Sequence, residues 1–244
     1  MVSLFTQFTN FLRRYHRCQL CQLPADGSHP LWCNHCLARF PCPPYCHHCG
    51  NTLVASASHC GQCLGHAKPW QRFYRAGEYQ FPLRQLIHQL KFQRKFWLAQ
   101  PLGELLARQI DDPAPLLLPI PLHPLRRLNR GFNQSSLIAQ AVALQTGSQF
   151  DTRLLKRRRY TPPQHRLSKA QRQHNLEQAF RLANPRSLPS HVALVDDVVT
   201  TGSTVAEAAA LLRQYGVARI DIYCLSYTPP QNSAEKSPRS VPKS

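Results

Sequence analysis

Four C-x2-C knuckles constrain this chain more than any other feature: Cys18-Gln-Leu-Cys21, Cys33-Asn-His-Cys36, Cys46-His-His-Cys49 and Cys60-Gly-Gln-Cys63, separated by eleven, nine and ten residues. Each knuckle presents two thiolates on one tight turn, and two knuckles joined by a short hairpin complete the tetrahedral four-sulfur shell that structural zinc prefers. The simplest pairing is Cys18, Cys21, Cys33 and Cys36, then Cys46, Cys49, Cys60 and Cys63, which predicts two zinc ribbons in tandem and two zinc ions. Cys42 is surplus to this scheme, and His35, His47 and His48 stand close enough in sequence to substitute for a thiolate. Nine of the ten cysteines lie between Cys18 and Cys63, a clustering that argues for metal rather than disulfides. Ribbons of this kind fold on metal binding and then present a surface, so the expected role is structural.

With 244 residues, 43% of them hydrophobic, the chain can bury one substantial core beside such a module. It is neither fibrous nor disordered as a whole. Thirty Lys and Arg oppose 12 Asp and Glu, a formal charge of +18. Eight thiolates around two divalent cations lower that to about +14, still a surface that attracts polyanions. No stretch approaches the ~20 apolar residues of a membrane span. The opening Met1 to Arg17 carries its charges after its apolar positions, the reverse of a signal peptide. A soluble, cytoplasmic protein is expected.

The chain divides into a lead (1–17), the double ribbon (18–66), a main domain (67–228) and a Pro-, Ser- and Lys-rich tail expected to be disordered (229–244). In the main domain strand-like and helix-like segments alternate, which predicts an α/β fold with a mainly parallel sheet. Tyr74 to Phe81 reads as a strand pair. Leu83, Leu86, Ile87 and Leu90 recur at helical spacing, as do Leu98, Leu102, Leu105 and Leu106. Ala114 to Leu122 reads as a strand and loop, and Asn133 to Gln145 as a helix with Leu137, Ile138, Ala141 and Leu144 on one face. His191 to Val198 is a strand, Ser203 to Tyr215 a helix closed by Gly216, and Arg219 to Tyr227 a last strand with Cys224 in the core. Between them, Lys156 to Asn175 holds no acidic residue and reads as a mobile basic loop. Trp70, Phe92, Phe96 and Trp97, beside Lys91, Arg94 and Lys95, read as core aromatics; the alternative is a patch that stacks single-stranded bases.

The chemistry is concentrated in Val192-Ala-Leu-Val-Asp196-Asp197-Val-Val-Thr200-Thr201-Gly202-Ser203-Thr204. A buried strand delivers its C-terminal end to the crevice where open α/β sheets bind ligands. Gly202 lets the backbone curl so that N–H groups and the hydroxyls of Thr200, Thr201, Ser203 and Thr204 can cradle a phosphate at the start of a helix. Two carboxylates just upstream would repel that phosphate, so they suit sugar hydroxyls or a magnesium ion held through water. A ribose 5-phosphate satisfies both halves. Neither a P-loop nor a dinucleotide fingerprint is present.

These thirteen residues resemble the ribose-phosphate motif of the type I phosphoribosyltransferases. More narrowly, the chain resembles the ComF family and its GntX branch. That likeness rests on Arg130-Gly131-Phe132-Asn133-Gln134, the spaced set Arg157, Arg159, Thr161, Gln164, Leu167, Arg172 and Asn175, and the double ribbon in front. The resemblance spans roughly residues 18–228. It implies that Asp196 and Asp197 contact the ribose hydroxyls of magnesium-bound phosphoribosyl pyrophosphate while Thr200, Thr201, Gly202, Ser203 and Thr204 hold its 5-phosphate. It also implies pyrophosphate contacts near Arg130, and a lid carrying Arg157, Arg159 and Gln164. A role in DNA uptake or in use of DNA as a nutrient follows from the same likeness, with single-stranded DNA and other uptake proteins as partners. The alternative it leaves open is an active phosphoribosyltransferase of nucleotide metabolism acting on a nitrogen acceptor.

Overall fold

The computed structural model describes residues 17–24, 29, 31–40, 42–65, 68–122, 131–157, 179–183 and 188–228. The lead up to residue 16, the tail from 229 and most of the basic segment fall outside them.

The main domain is built on a five-stranded, wholly parallel sheet in the order β1-β7-β6-β2-β3, formed by β1 (Arg72–Glu78), β2 (Leu116–Pro119), β3 (Gln149–Phe150), β6 (His191–Val199) and β7 (Arg219–Tyr227). A separate antiparallel pair joins β4 (Leu155–Arg157) to β5 (Phe180–Leu182). Parallel strands are buried on both faces, which explains the continuous apolar runs of β6 and β7. On β6, Ala193 and Val195 enter one core while Val192 and Leu194 enter the other, as the two-residue period of a strand requires.

The first core is closed by α3 (Leu83–Phe92), α4 (Ala99–Ala107) and α5 (Gln134–Thr146). Leu83, Leu86, Ile87 and Leu90 are all buried, so the spacing read from the sequence is the packing face of α3. On α5 the buried face differs from the expected one: Ile138, Ala139, Ala141 and Val142 are inside and Leu144 is exposed. Close approach of α4 sets this, because a Cβ on Gly103 would come within 2.4 Å of the Ala141 Cβ. The second core packs α6 (Ser203–Gln214) and the β4–β5 pair against the opposite face.

The expected strand pair at Tyr74 to Phe81 is a single strand. Residues 72–78 run parallel to β7 from Arg72↔Asp221 to Glu78↔Tyr227, and the chain turns at once into α3. A hairpin needs an antiparallel return, and the parallel neighbour here comes from about 150 residues away. Lys156 and Arg157, expected in the basic loop, lie in β4 instead.

Both cysteine clusters pack onto this body. Trp32, with Cys18, Cys33 and Cys36, is continuous with the first core, and the short helix α1 (Asn34–Leu37) starts within the second knuckle, with Cys33 as its N-cap. The second cluster, with α2 (Gly61–Leu64), lies along edge strand β1: the Phe73 N–H donates to His47 O at 2.7 Å and the Trp70 indole N–H donates to His48 O at 2.7 Å. Buried Arg75 reaches out of β1 to Thr52 Oγ1 at 3.0 Å and stacks over the Tyr45 ring. A sheet edge that would otherwise offer free backbone groups is thereby covered.

Candidate functional site

The chain leaves β2 towards β3 and leaves β6 towards β7, so the strand order reverses between these central neighbours. Ligands of open α/β sheets bind outside the carboxyl ends of strands at such a point. The ends of β2 and β6 are tied there to the start of α5. The Asn133 side chain caps α5 by accepting from Ser135 N at 3.2 Å, donates to Ile120 O at 3.0 Å, and Ile120 N–H in turn donates to Val195 O.

Asp196 and Asp197 emerge from β6 at this junction. Ser135 Oγ donates to Asp196 Oδ1 at 3.0 Å, and the Asp197 backbone N–H donates to the same oxygen at 2.9 Å. Burial, and then the like charge of Asp197, raise the Asp196 carboxyl to about 7, outweighing those two donors. Asp197 continues the alternation of Ala193 and Val195 towards α3, where Lys91 Nζ pairs with its Oδ1 at 2.8 Å. Two adjacent carboxyls therefore have different partners: Ser135 and a backbone N–H for Asp196, the Lys91 ammonium for Asp197.

Beyond β6, Gly202 takes the left-handed conformation (φ 76°) and becomes the N-cap of α6. A Cβ there would also meet the Trp70 ring at 3.2 Å, so both backbone geometry and close packing call for glycine. Thr201 Oγ1 and Ser203 Oγ lie 3.1 Å apart. Thr200 and Thr201 are exposed, and Gly202, Ser203 and Thr204 half-exposed, so the turn presents hydroxyls and backbone N–H groups to solvent at a helix start.

Arg157 sits on β4 with its guanidinium over the Phe180 ring. Its charge also bears on Glu207 of α6, whose carboxyl is raised to about 7 chiefly by burial. Arg130, Arg159 and Gln164 lie outside the described residues. Gly131 to Asn133 and Pro121 to Leu122 line a cavity of about 440 Å³ together with Arg153 and Lys156.

The sequence reading missed two residues. The sequence shows Lys91 only as a neighbour of the aromatics Phe92, Phe96 and Trp97; its position one residue after Leu90 on α3 puts it at the margin of the buried stripe, close to the strand ends. Ser135 carries no motif of its own, and only the docking of α5 onto β6 brings it to Asp196. Neither contact has a local sequence signal.

The eight expected thiolates gather into the two expected sets, each with its sulfurs within 4.8 Å of one another. Four ligands at the usual Zn–S bond length of about 2.3 Å stand about 3.8 Å apart at tetrahedral corners. The sulfurs of Cys21 and Cys33 stand 3.8 Å apart, those of Cys46 and Cys63 3.8 Å, of Cys49 and Cys60 3.6 Å and of Cys60 and Cys63 3.7 Å, so both sites fit zinc. Cys42, His35, His47 and His48 stay outside both sets. The Asp196–Asp197 pair has no third His, Cys, Asp or Glu gathered with it among the described residues. That suits magnesium, which is usually held by one or two carboxylates, its own waters and a substrate phosphate.

Residues 134–243 match the phosphoribosyl transferase domain family. The chain is 41% identical over 222 residues to the DNA utilization protein YhgH of Escherichia coli (strain K12), covering 86% of this chain and 96% of that protein. The DNA utilization protein YhgH of Salmonella typhi is 40% identical over 220 residues, with the same shares covered. Competence protein F of Haemophilus influenzae is 37% identical over 204 residues, covering 80% of this chain and 89% of that protein. Among the described residues no helix is long and apolar enough to cross a membrane.

Proposed function

The chain belongs to the family of these DNA utilization and competence proteins and has the type I phosphoribosyltransferase fold, and on that premise we propose that it binds magnesium phosphoribosyl pyrophosphate and single-stranded DNA in support of DNA uptake or nutrient use of DNA. One observation carries the ligand: an acidic pair near the C-terminal end of β6 lies two residues before an exposed hydroxyl-rich turn that opens α6. Asp196 and Asp197 accept hydrogen bonds from the ribose 2- and 3-hydroxyls. The backbone N–H groups and hydroxyls of Thr200 to Thr204, aided by the partial positive charge of the helix start, hold the 5-phosphate. Magnesium, when bound with the ligand, neutralises charge on the pyrophosphate. Lys91 orients the Asp197 carboxylate towards α3 until ligand arrives. The two cysteine clusters hold structural zinc, and the excess of basic residues attracts the DNA.

Calorimetric titration with phosphoribosyl pyrophosphate, with and without magnesium, tests the ligand. Wild-type protein should bind only with magnesium, and the Asp196→Asn/Asp197→Asn double variant should lose at least about tenfold in affinity, the equivalent of about 1.4 kcal/mol. Absence of binding to wild-type protein would refute the proposal.

A second reading, an active phosphoribosyltransferase of nucleotide metabolism, is favoured by Asp196. A bond forms from an acceptor nitrogen to the ribose C1 while the C1–oxygen bond to pyrophosphate breaks, and the proton lost by the nitrogen needs a base. Asp196, whose carboxyl is raised to about 7 by burial beside Asp197, would take it. Pyrophosphate release with pooled nucleobases, absent in Asp196→Asn, would establish this reading; no release from the wild-type protein would exclude it, and equal release from both would exclude Asp196 as the base.

A further inference from the structure

The aromatics expected in the core divide. Trp70 is buried beneath Gly202, whereas Phe92, Phe96 and Trp97 are 60%, 46% and 56% exposed. Three large apolar side chains within six residues are left about half exposed, and such surfaces mark interaction sites. Arg94 lies between them in the left-handed backbone conformation (φ 54°), which turns the chain sharply between α3 and the 3-10 turn Phe96–Leu98. The exposed aromatics are therefore interleaved with Lys91, Arg94 and Lys95.

The surface adjoins the ligand end of the sheet at two points. Lys91, next to Phe92, pairs with Asp197. Phe96 packs edge-on against Phe132, with ring centroids 4.6 Å apart, and Phe132 lines the cavity that also holds Arg153 and Lys156. Alternating flat apolar rings and cations, leading to a basic cavity, match the alternating bases and phosphates of an unpaired strand. A duplex hides its base faces and cannot use the rings.

We propose that Phe92, Phe96 and Trp97, interleaved with Arg94 and Lys95, form the platform on which single-stranded nucleic acid stacks its bases, leading the strand past Phe132 to the end of β6. This rests on the DNA-binding reading above and assigns it a place.

The chain supplies its own reporter. Of its three tryptophans, Trp32 and Trp70 are buried and Trp97 is exposed. Titration of the full chain with an oligothymidylate of about 20 nucleotides should quench the solvent-exposed component of the emission, and a duplex should not. By anisotropy of the labelled oligonucleotide, Phe96→Leu and Trp97→Leu should each weaken binding about five- to 150-fold, the range for loss of one base–aromatic stack. Both side chains are about half exposed and leucine keeps part of their apolar contact, so the variants should fold. Wild-type binding without quenching and with unchanged affinity in both variants would overturn the platform and leave the DNA-binding reading standing. Failure of the wild-type protein to bind the oligonucleotide would overturn both. A concentration-dependent dimer that Phe96→Leu disperses, with DNA affinity unchanged, would make the surface a self-association face and overturn the platform.

Discussion

At the scale of single residues the site is set by how differently two neighbouring carboxyls are treated. Asp196 is desolvated beside a like charge, whereas Asp197 has the Lys91 ammonium at 2.8 Å. A carboxyl whose folded proton affinity is raised binds more protons folded than unfolded, so its contribution to stability falls as pH climbs from about 4 to about 7. Asp196→Asn should accordingly raise Tm at pH 8 by several degrees, with no gain below about pH 4, where the carboxyl is protonated in both states. Thermal melts of the two proteins across pH check this, and a pH-independent difference would contradict it. Gly202→Ala should do the opposite, destabilising by about 1–2 kcal/mol because alanine resists the positive φ and its Cβ presses on Trp70. Ligand affinity should fall with it, because the strained atoms belong to the proposed phosphate turn.

At the scale of elements, two attachments matter. Asn133 ties α5 to β2 as well as capping it, so Asn133→Ala should cost more than the roughly 1 kcal/mol of an ordinary cap; denaturant unfolding measures the difference. The second ribbon covers β1 through the Phe73–His47 hydrogen bond and the Trp70–His48 hydrogen bond. Cys60→Ser should lower zinc from about two atoms per chain to about one by metal analysis. It should also expose β1 and promote aggregation. Retention of both metals would show that the ligand set is wrong. Because Trp70 also touches Gly202, the same variant should weaken phosphoribosyl pyrophosphate binding without altering any residue that contacts it.

At the scale of the whole molecule, the excess of positive charge makes any nucleic-acid affinity depend on salt. If six or more phosphates are contacted, affinity for single strands should fall by about 300-fold or more between about 50 and about 200 mM salt, linearly on logarithmic axes. A flat salt dependence would mean that the charge serves another purpose. Much of this organisation was legible in the sequence, because the features concerned are local or periodic. The knuckles state their own metal chemistry, buried parallel strands read as apolar runs, and the strand, acidic pair, glycine turn and helix from Val192 to Thr204 occupy consecutive residues. What the sequence left undecided depends on which segments meet. Parallel pairing joins β1 to a strand about 150 residues away, which no local pattern encodes, and so the hairpin expected at Tyr74 to Phe81 is absent. Lys91 and Ser135 reach the acidic pair only because α3 and α5 dock on the same face of β6. The same docking decided that Phe92, Phe96 and Trp97 stay at the surface. Periodicity shows that a helix has an apolar face; tertiary packing alone determines where the covering ends and which aromatics are left in water.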